Sequence, residues 1–166
     1  MKLYYAQGTC SLAPHIALRE AGLSFDLVRM DMKTGALDAG GRIEDVNEKG
    51  YVPVLELDDG TRLTEVAAIL QFVADQKPEL RLAPPNGTLE RYRLQGWLNY
   101  IGMEIHKIYW PLFHGGAEIE NQKAKEKLGR SFTYVEQQLG DGAFLFGDGF
   151  TVADAYLLTV LNWTRA

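Results

Sequence analysis

From Thr151 the chain reads Thr-Val-Ala-Asp-Ala-Tyr-Leu-Leu-Thr-Val-Leu-Asn-Trp, and a helix over this stretch has no solvent face. Val152, Ala153, Ala155, Tyr156, Leu157, Leu158, Val160, Leu161 and Trp163 spread apolar side chains all round its axis. Such a helix needs covers on every side, so the fold must contain a helical bundle with this segment at its middle. Its start is well marked, because Thr151 followed by Asp154 has the spacing of a capping box, with Asp in place of Glu.

The bundle needs partners, and the sequence supplies two. Between Thr88 and about Trp110, Leu94, Trp97, Leu98, Ile101, Ile105 and Ile108 recur at three- and four-residue steps and define a core stripe. Gly96, Asn99, Met103, His106 and Trp110 form a second stripe, too polar for core and too aromatic for surface, which is expected to face a cleft; a buried, satisfied histidine is the alternative. A further helix is expected from Glu118 to Leu139.

The first half of the chain is patterned differently. Lys2 to Tyr5 reads as a strand, and Leu12 to Ala21 as a helix with Ser11 as its cap and Gly22 at its end. Phe25 to Met30 alternates as a second strand. The Gly- and charge-rich segment that follows supports only an irregular helix and is expected to be mobile without ligand; strand character resumes at Val52 to Leu57. Asp58-Asp59-Gly60 signals a hairpin, Thr61 to Leu63 the returning strand, and Thr64 a helix to about Asp75. The order is βαβαββα. Lys77 to Gly87, with Pro78, Pro84 and Pro85, has linker composition, which predicts an α/β domain over 1–80, a linker over 81–87 and an all-helical domain over 88–166.

Charge narrows the function. The 166 residues hold 17 Lys and Arg against 22 Asp and Glu, a net charge of -5, with no basic run, which argues against nucleic acid and anionic membrane surfaces as partners. A small molecule is the expected partner. No apolar run approaches the ~18 residues of a membrane span, and MKLYYAQG has no apolar leader, so a cytoplasmic location is expected. One cysteine permits no internal disulfide, and His15, His106 and His114 have no familiar ligand spacing, so no metal is expected.

That one cysteine lies in Gly-Thr-Cys-Ser-Leu-Ala-Pro-His, between the first strand and the first helix. There, unpaired backbone N–H groups and the helix dipole favour thiolate over thiol, which predicts an acidic Cys10. The competing reading is a small buried apolar residue. Position 13 is Ala, so no second thiol stands in a Cys-x-x-Cys pair.

Taken in order, Cys10-Ser11-Leu12, His15-Ile16-Ala17-Leu18-Arg19-Glu20, Gly50-Tyr51-Val52-Pro53, Leu57-Asp58-Asp59-Gly60, Leu63-Thr64-Glu65, Trp97-Leu98-Asn99-Tyr100-Ile101, His106-Lys107 and Thr151-Val152-Ala153-Asp154 resemble the cytosolic glutathione transferases, and most of all the bacterial beta class. The resemblance runs over the whole chain. It implies a thioredoxin-like first domain, a helical second domain, glutathione as co-substrate, a homodimer, and a detoxifying transfer of the glutathione thiolate to small hydrophobic electrophiles.

Carried residue by residue, the resemblance makes Cys10, with Ser11 and His106 as auxiliary donors, the group that meets the glutathione sulfur. It implies a cis Val52-Pro53 peptide, with Val52 pairing strand-like with the tripeptide; an ordinary edge proline is the alternative reading of those residues. Glu65 and Val66 would hold the γ-glutamyl end, Lys33 the glycyl carboxylate, and Lys107 would approach with His106 from the helical domain. A favourable first-turn acid and a solvated surface lysine are the alternative readings of Glu65 and Lys33, and Asn99, on the same stripe as His106, either adds a polar contact or supports the core or dimer interface. Relatives more often have a small or hydroxyl residue at position 66 and lysine at position 35, where this chain has Val66 and Gly35. Met103, Trp110 and Phe113 would line the electrophile pocket.

Two other functions fit the same residues: a thiol transferase or dehalogenase working through a Cys10 mixed disulfide, and a non-catalytic binding module. Family members usually continue through further helices after the one opening near Thr151. The chain thus resembles a C-terminally shortened member, and its apolar helix is expected to expose a patch larger than the few hundred Å² a monomer tolerates.

Overall fold

The computed structural model describes residues 1–165; Ala166, the last residue of the expected helical domain, lies outside them. A four-stranded mixed sheet is built from β1 (Lys2–Tyr5), β2 (Asp26–Arg29), β3 (Val54–Glu56) and β4 (Arg62–Thr64), in the order β2-β1-β3-β4. β1 runs parallel to β2 and antiparallel to β3, and β3 pairs antiparallel with β4.

Strand alternation divides the core between the two faces of the sheet. Leu3 and its partner Leu55 pack with α1 (Leu12–Glu20) and α2 (Val66–Asp75), whereas Tyr4 and its partner Val54 pack with Val28, Met30, Leu37, Ile43 and Val52. The second face is covered by the irregular segment between β2 and β3, whose only helical piece is a single 3-10 turn at Ile43–Asp45. Buried Leu37 and Ile43, with bridges from Met30 to Leu37 and Ala36 to Arg42, tie that segment down.

Local signals explain the boundaries. Gly22 takes a φ of 62° directly after α1 and its N–H donates to Arg19 O at 3.0 Å, the left-handed exit that glycine permits. At the β3–β4 hairpin, Gly60 has a φ of 84° and Thr61 N–H donates to Asp59 Oδ1 at 2.9 Å. Ser11 does not cap α1. It has helical angles and no capping hydrogen bond, because its hydroxyl is engaged inside the preceding loop.

After the linker, α3 (Leu89–Tyr100) begins at Thr88, whose Oγ1 accepts from Arg91 N–H at 3.2 Å. Helical structure continues as a π turn at Ile101–Ile105, a 3-10 turn at His106–Tyr109 and the short α4 (Trp110–Phe113). The wide π turn rotates everything after it relative to α3. The expected second stripe is therefore broken: Asn99 and His106 lie on either side of the turn and share no regular helical face.

α5 (Glu118–Leu139) and α6 (Val152–Leu161) complete the helical half. The Thr151 capping box is present, with Thr151 N–H and Oγ1 both 2.8 Å from Asp154 Oδ2. α6 packs against α1, α2, α3 and the π turn, as its all-round apolarity requires. The broad exposed patch expected on this helix is absent among the described residues: of its large apolar side chains only Leu158, at 50 %, is exposed.

The linker is tied to the rest of the fold at two places. Arg91, 2 % exposed, makes a bidentate pair with Asp75 at 2.8 Å for each bond and also donates to Pro84 O, so α2, the linker and α3 meet at one guanidinium. Val152 N–H donates to Leu82 O at 2.9 Å, which joins the linker to the start of α6.

Candidate active site

Cys10 stands in the β1–α1 loop, two residues ahead of the first residue of α1. The loop is held by Ser11, whose Oγ donates to Ala6 O at 3.1 Å, accepts from Ala6 N–H at 3.2 Å and lies 2.7 Å from Thr9 Oγ1. At 1 % exposure, Ser11 has its hydroxyl committed to positioning the loop. That geometry leaves it poorly placed as the auxiliary donor the resemblance suggested.

Cys10 Sγ lies 3.8 Å from Val52 O, at the Val52-Pro53 peptide, which is cis. The thiol and this backbone edge are thus in direct contact. The expected acidity of Cys10 is overturned: burial pushes its pKa up to about 12, outweighing the backbone N–H contribution, and the Glu65 carboxylate adds to the rise. The helix dipole loses because the thiol is desolvated and, among the described residues, no side-chain cation compensates. In the free protein Cys10 is a neutral thiol.

Glu65 precedes α2 with a φ of 70° and ψ of 123°, a strained conformation for a residue with a side chain, costing roughly 1–3 kcal/mol. Its Oε1 accepts from Lys49 Nζ at 2.7 Å and Tyr51 Oη at 2.8 Å. The Lys49 hydrogen bond first, then that of Tyr51, holds its carboxyl below the ordinary range. Beside it, the N–H groups of Val66 and Ala67 open α2 with no acceptor among the described residues. Val66 itself points into the core at 7 % exposure.

The sequence reading missed Lys49 and Tyr51. Lys33, the cation it chose, is exposed, with its backbone N–H on Asp31 Oδ1 at 2.8 Å, and its ammonium forms no ion pair among the described residues. The available signal was position: Lys49-Gly50-Tyr51 leads directly into Val52-Pro53, so it travels with the peptide edge beside Cys10.

From the helical half, His106 is partly buried, with Nδ1 2.7 Å from Tyr156 Oη and its ring 4.9 Å edge-on to Trp163. Burial, then the neighbouring Lys107 charge, pushes its pKa down to about 4, so the ring is neutral at physiological pH. Burial raises the Tyr156 phenol; the Cys10 sulfur once ionised, and then the Glu65 carboxylate, act in the same direction, which puts Tyr156 within electrostatic reach of both. Trp163 closes the circuit by donating Nε1–H to Gly8 O at 2.9 Å, in the loop that carries Cys10.

Lys107 and Asn99 are exposed and their side chains form no hydrogen bond among the described residues. Met103, Trp110 and Phe113 are exposed by 62, 65 and 48 %. A surface depression of about 340 Å³ is lined by Trp110, Pro111, His114, Gly116 and Glu120, and shares only Trp110 with that trio. Among the described residues no group of three or more His, Cys, Asp or Glu could hold a metal, and no helix is long and apolar enough to cross a membrane.

The chain that carries this thiol, cis peptide and imidazole is similar to known proteins over almost its whole length. Residues 8–76 match the glutathione S-transferase N-terminal domain and residues 109–166 the glutathione S-transferase C-terminal domain. Glutathione S-transferase GstA of Escherichia coli O157:H7 is 46 % identical over 167 residues, spanning 100 % of this chain and 83 % of that protein. Among solved structures, the ternary complex of BphK, a bacterial GST, superimposes with a TM-score of 0.97 at 49 % identity, covering 99 % of this chain and 83 % of the other. A sphingomonad glutathione S-transferase complexed with glutathione gives 0.95 at 42 % identity, with the same coverage of 99 % and 83 %. The beta-class enzyme of Sphingomonas chungbukensis gives 0.95 at 44 %, again covering 99 % and 83 %. The chain belongs to the glutathione S-transferase family and groups structurally with its bacterial beta-class members.

Proposed function

We propose that this chain is a cytoplasmic glutathione S-transferase in which glutathione lies along Val52 and presents its sulfur to the Cys10 thiol. The single observation that carries the reading is the 3.8 Å contact between Cys10 Sγ and Val52 O. A thiol peptide paired strand-like at Val52 brings its own sulfur beside Cys10, because edge and thiol already touch.

The γ-glutamyl carboxylate meets the free N–H groups at the start of α2, and its ammonium joins the Glu65 carboxylate, entering the network that Lys49 and Tyr51 now hold. The glycyl carboxylate is left to an exposed cation, Lys33 or Lys49. Cys10, with its thiol protonated, donates S–H to the glutathione sulfur, and neutral His106 supplies a second donor. Both favour thiolate over thiol on the bound tripeptide.

The thiolate then attacks an electrophilic carbon of a small hydrophobic substrate. A carbon–sulfur bond forms, the leaving group departs with the bonding electron pair, and the glutathione proton passes to solvent. Met103, Trp110 and Phe113 offer apolar surface for that substrate, and a second copy of the chain completes a dimer as in the family. Glutathione transfer through a Cys10 mixed disulfide would require a thiolate at Cys10, which burial opposes.

The test is a calorimetric titration of glutathione into the wild type and Cys10→Ala, with conjugation rates measured on the same samples. The reading expects comparable affinity and a conjugation rate reduced about tenfold or more in the variant. Unchanged turnover in Cys10→Ala would remove the thiol from the mechanism.

A further inference from the structure

We propose that Tyr156 is a positioning residue that fixes the ring proton of His106 on Nε2, so that the imidazole presents an N–H donor to the glutathione sulfur. The inference rests on the reading of His106 as a contact of that sulfur.

The argument is one of hydrogen-bond satisfaction. Tyr156 is 4 % exposed, and its only hydrogen-bond partner among the described residues is His106 Nδ1, at 2.7 Å. If Nδ1–H donated to Oη, the phenolic proton would be left buried with no protein acceptor, at a cost of roughly 1–3 kcal/mol. If Oη–H donates to Nδ1, that proton is used and the single proton of the neutral ring stands on Nε2. Nε2 has no protein partner among the described residues and is not among the buried unpaired atoms, so it is open to a ligand.

The backbone makes room for this pair. A Cβ on Gly102 would sit 3.4 Å from Tyr156 Oη, at the close limit of van der Waals contact, so the π turn lies directly against the hydroxyl. Rings confine the imidazole: Tyr156 packs edge-on at 5.9 Å and Trp163 at 4.9 Å. The titratable groups around the pair are Lys107 on the imidazole's own turn, Tyr156 on α6 and Tyr109 beneath the same tryptophan, with Cys10 and Glu65 from the sheet half within electrostatic reach of Tyr156.

The direct test is an imidazole ¹⁵N spectrum of the ¹⁵N-labelled protein at about pH 7, where nitrogen shifts separate the two neutral tautomers. His106 is assigned by comparison with His106→Asn. The expected result is the Nε2–H form in the wild type and a tautomer mixture in Tyr156→Phe, a nearly isosteric change. An Nδ1–H ring in the wild type would overturn the role of Tyr156.

Kinetics read the consequence. Tyr156→Phe should lower kcat about five- to tenfold with KM for glutathione changed less than about twofold, and adding it to His106→Asn should cause no further loss. Additive losses would make Tyr156 independent of the histidine and overturn the inference. Undiminished kcat in His106→Asn would instead overturn the reading of His106 as a sulfur contact, whichever tautomer the spectrum showed.

Discussion

Trp163 reaches from the far end of the chain to donate its indole N–H to the carbonyl of Gly8 at 2.9 Å, binding the helical half to the loop that carries the thiol. Its ring also packs edge-on against His106, Tyr109 and Phe113. The substitution Trp163→Phe keeps much of the packing and deletes the hydrogen bond. Unfolding in urea should show a loss of about 1 kcal/mol, and the KM for glutathione should rise, because the Cys10 loop loses its anchor. A KM equal to that of the wild type would show that Ser11 alone holds the loop.

Cys10 should behave as an unreactive thiol. With a pKa pushed up to about 12, only a minute fraction is ionised at neutral pH. Iodoacetamide alkylation, followed by intact mass, should run slower than that of free cysteine and keep accelerating up to alkaline pH. A rate that levels off below about pH 7 would reveal the acidic thiol that the burial argument denies.

His106 makes stability depend on pH with a defined sign. Its folded pKa is lowered to about 4 from 6.5, so between those values the unfolded chain binds more protons than the folded one. Stability is fully present above pH 6.5 and falls as acid takes the solution from 6.5 towards about 4, by at most roughly 3 kcal/mol from this group. Chemical denaturation across that range should show the decline, and His106→Asn should flatten it. A decline of equal size in the variant would assign the effect to other groups.

Asp75→Asn leaves the Arg91 guanidinium buried without its paired carboxylate and with at most one of its two hydrogen bonds to residue 75. Removing one member of a buried pair costs about 3–5 kcal/mol, tempered here because the Asp75 side chain is 37 % exposed; about 2–3 kcal/mol is expected. Thermal unfolding should register a clear loss, and since the pair joins α2 to α3, the transition should also broaden. A change below about 0.5 kcal/mol would make the pair a bystander.

Lys49 should matter more to glutathione than Lys33. Lys49→Met removes the cation that holds the Glu65 carboxylate, whereas Lys33→Met removes one that forms no ion pair among the described residues. Titration calorimetry should find glutathione affinity changed at least about threefold in the first and nearly unchanged in the second. The reverse order would return the glycyl carboxylate to Lys33.

Much of this was legible in the sequence because it rests on local rules. The Thr151 and Asp154 capping box, the Asp59-Gly60 hairpin, the Gly22 exit and the surrounded α6 depend on neighbours in the chain or on a helical period, and all are present. What the sequence could not give depends on distant groups. The Cys10 pKa turned on desolvation by the folded core, which overrides a dipole argument made from three residues. The second helical stripe failed because regular periodicity assumes a regular helix, and the π turn at Ile101–Ile105 breaks it. The position of Ser11 suggests a cap, yet its hydroxyl finds Ala6, five residues back. Lys49 carries no local signal, because its partner, Glu65, lies sixteen residues on and meets it only through the fold.

The central claim is that this chain conjugates glutathione, and its most direct test is steady-state turnover with a dinitrophenyl halide, following the thioether by absorbance while glutathione is varied. The account predicts a rate that saturates with glutathione, stays well above the uncatalysed reaction and falls in Cys10→Ala. A folded sample that gives no rate above the uncatalysed background would contradict it.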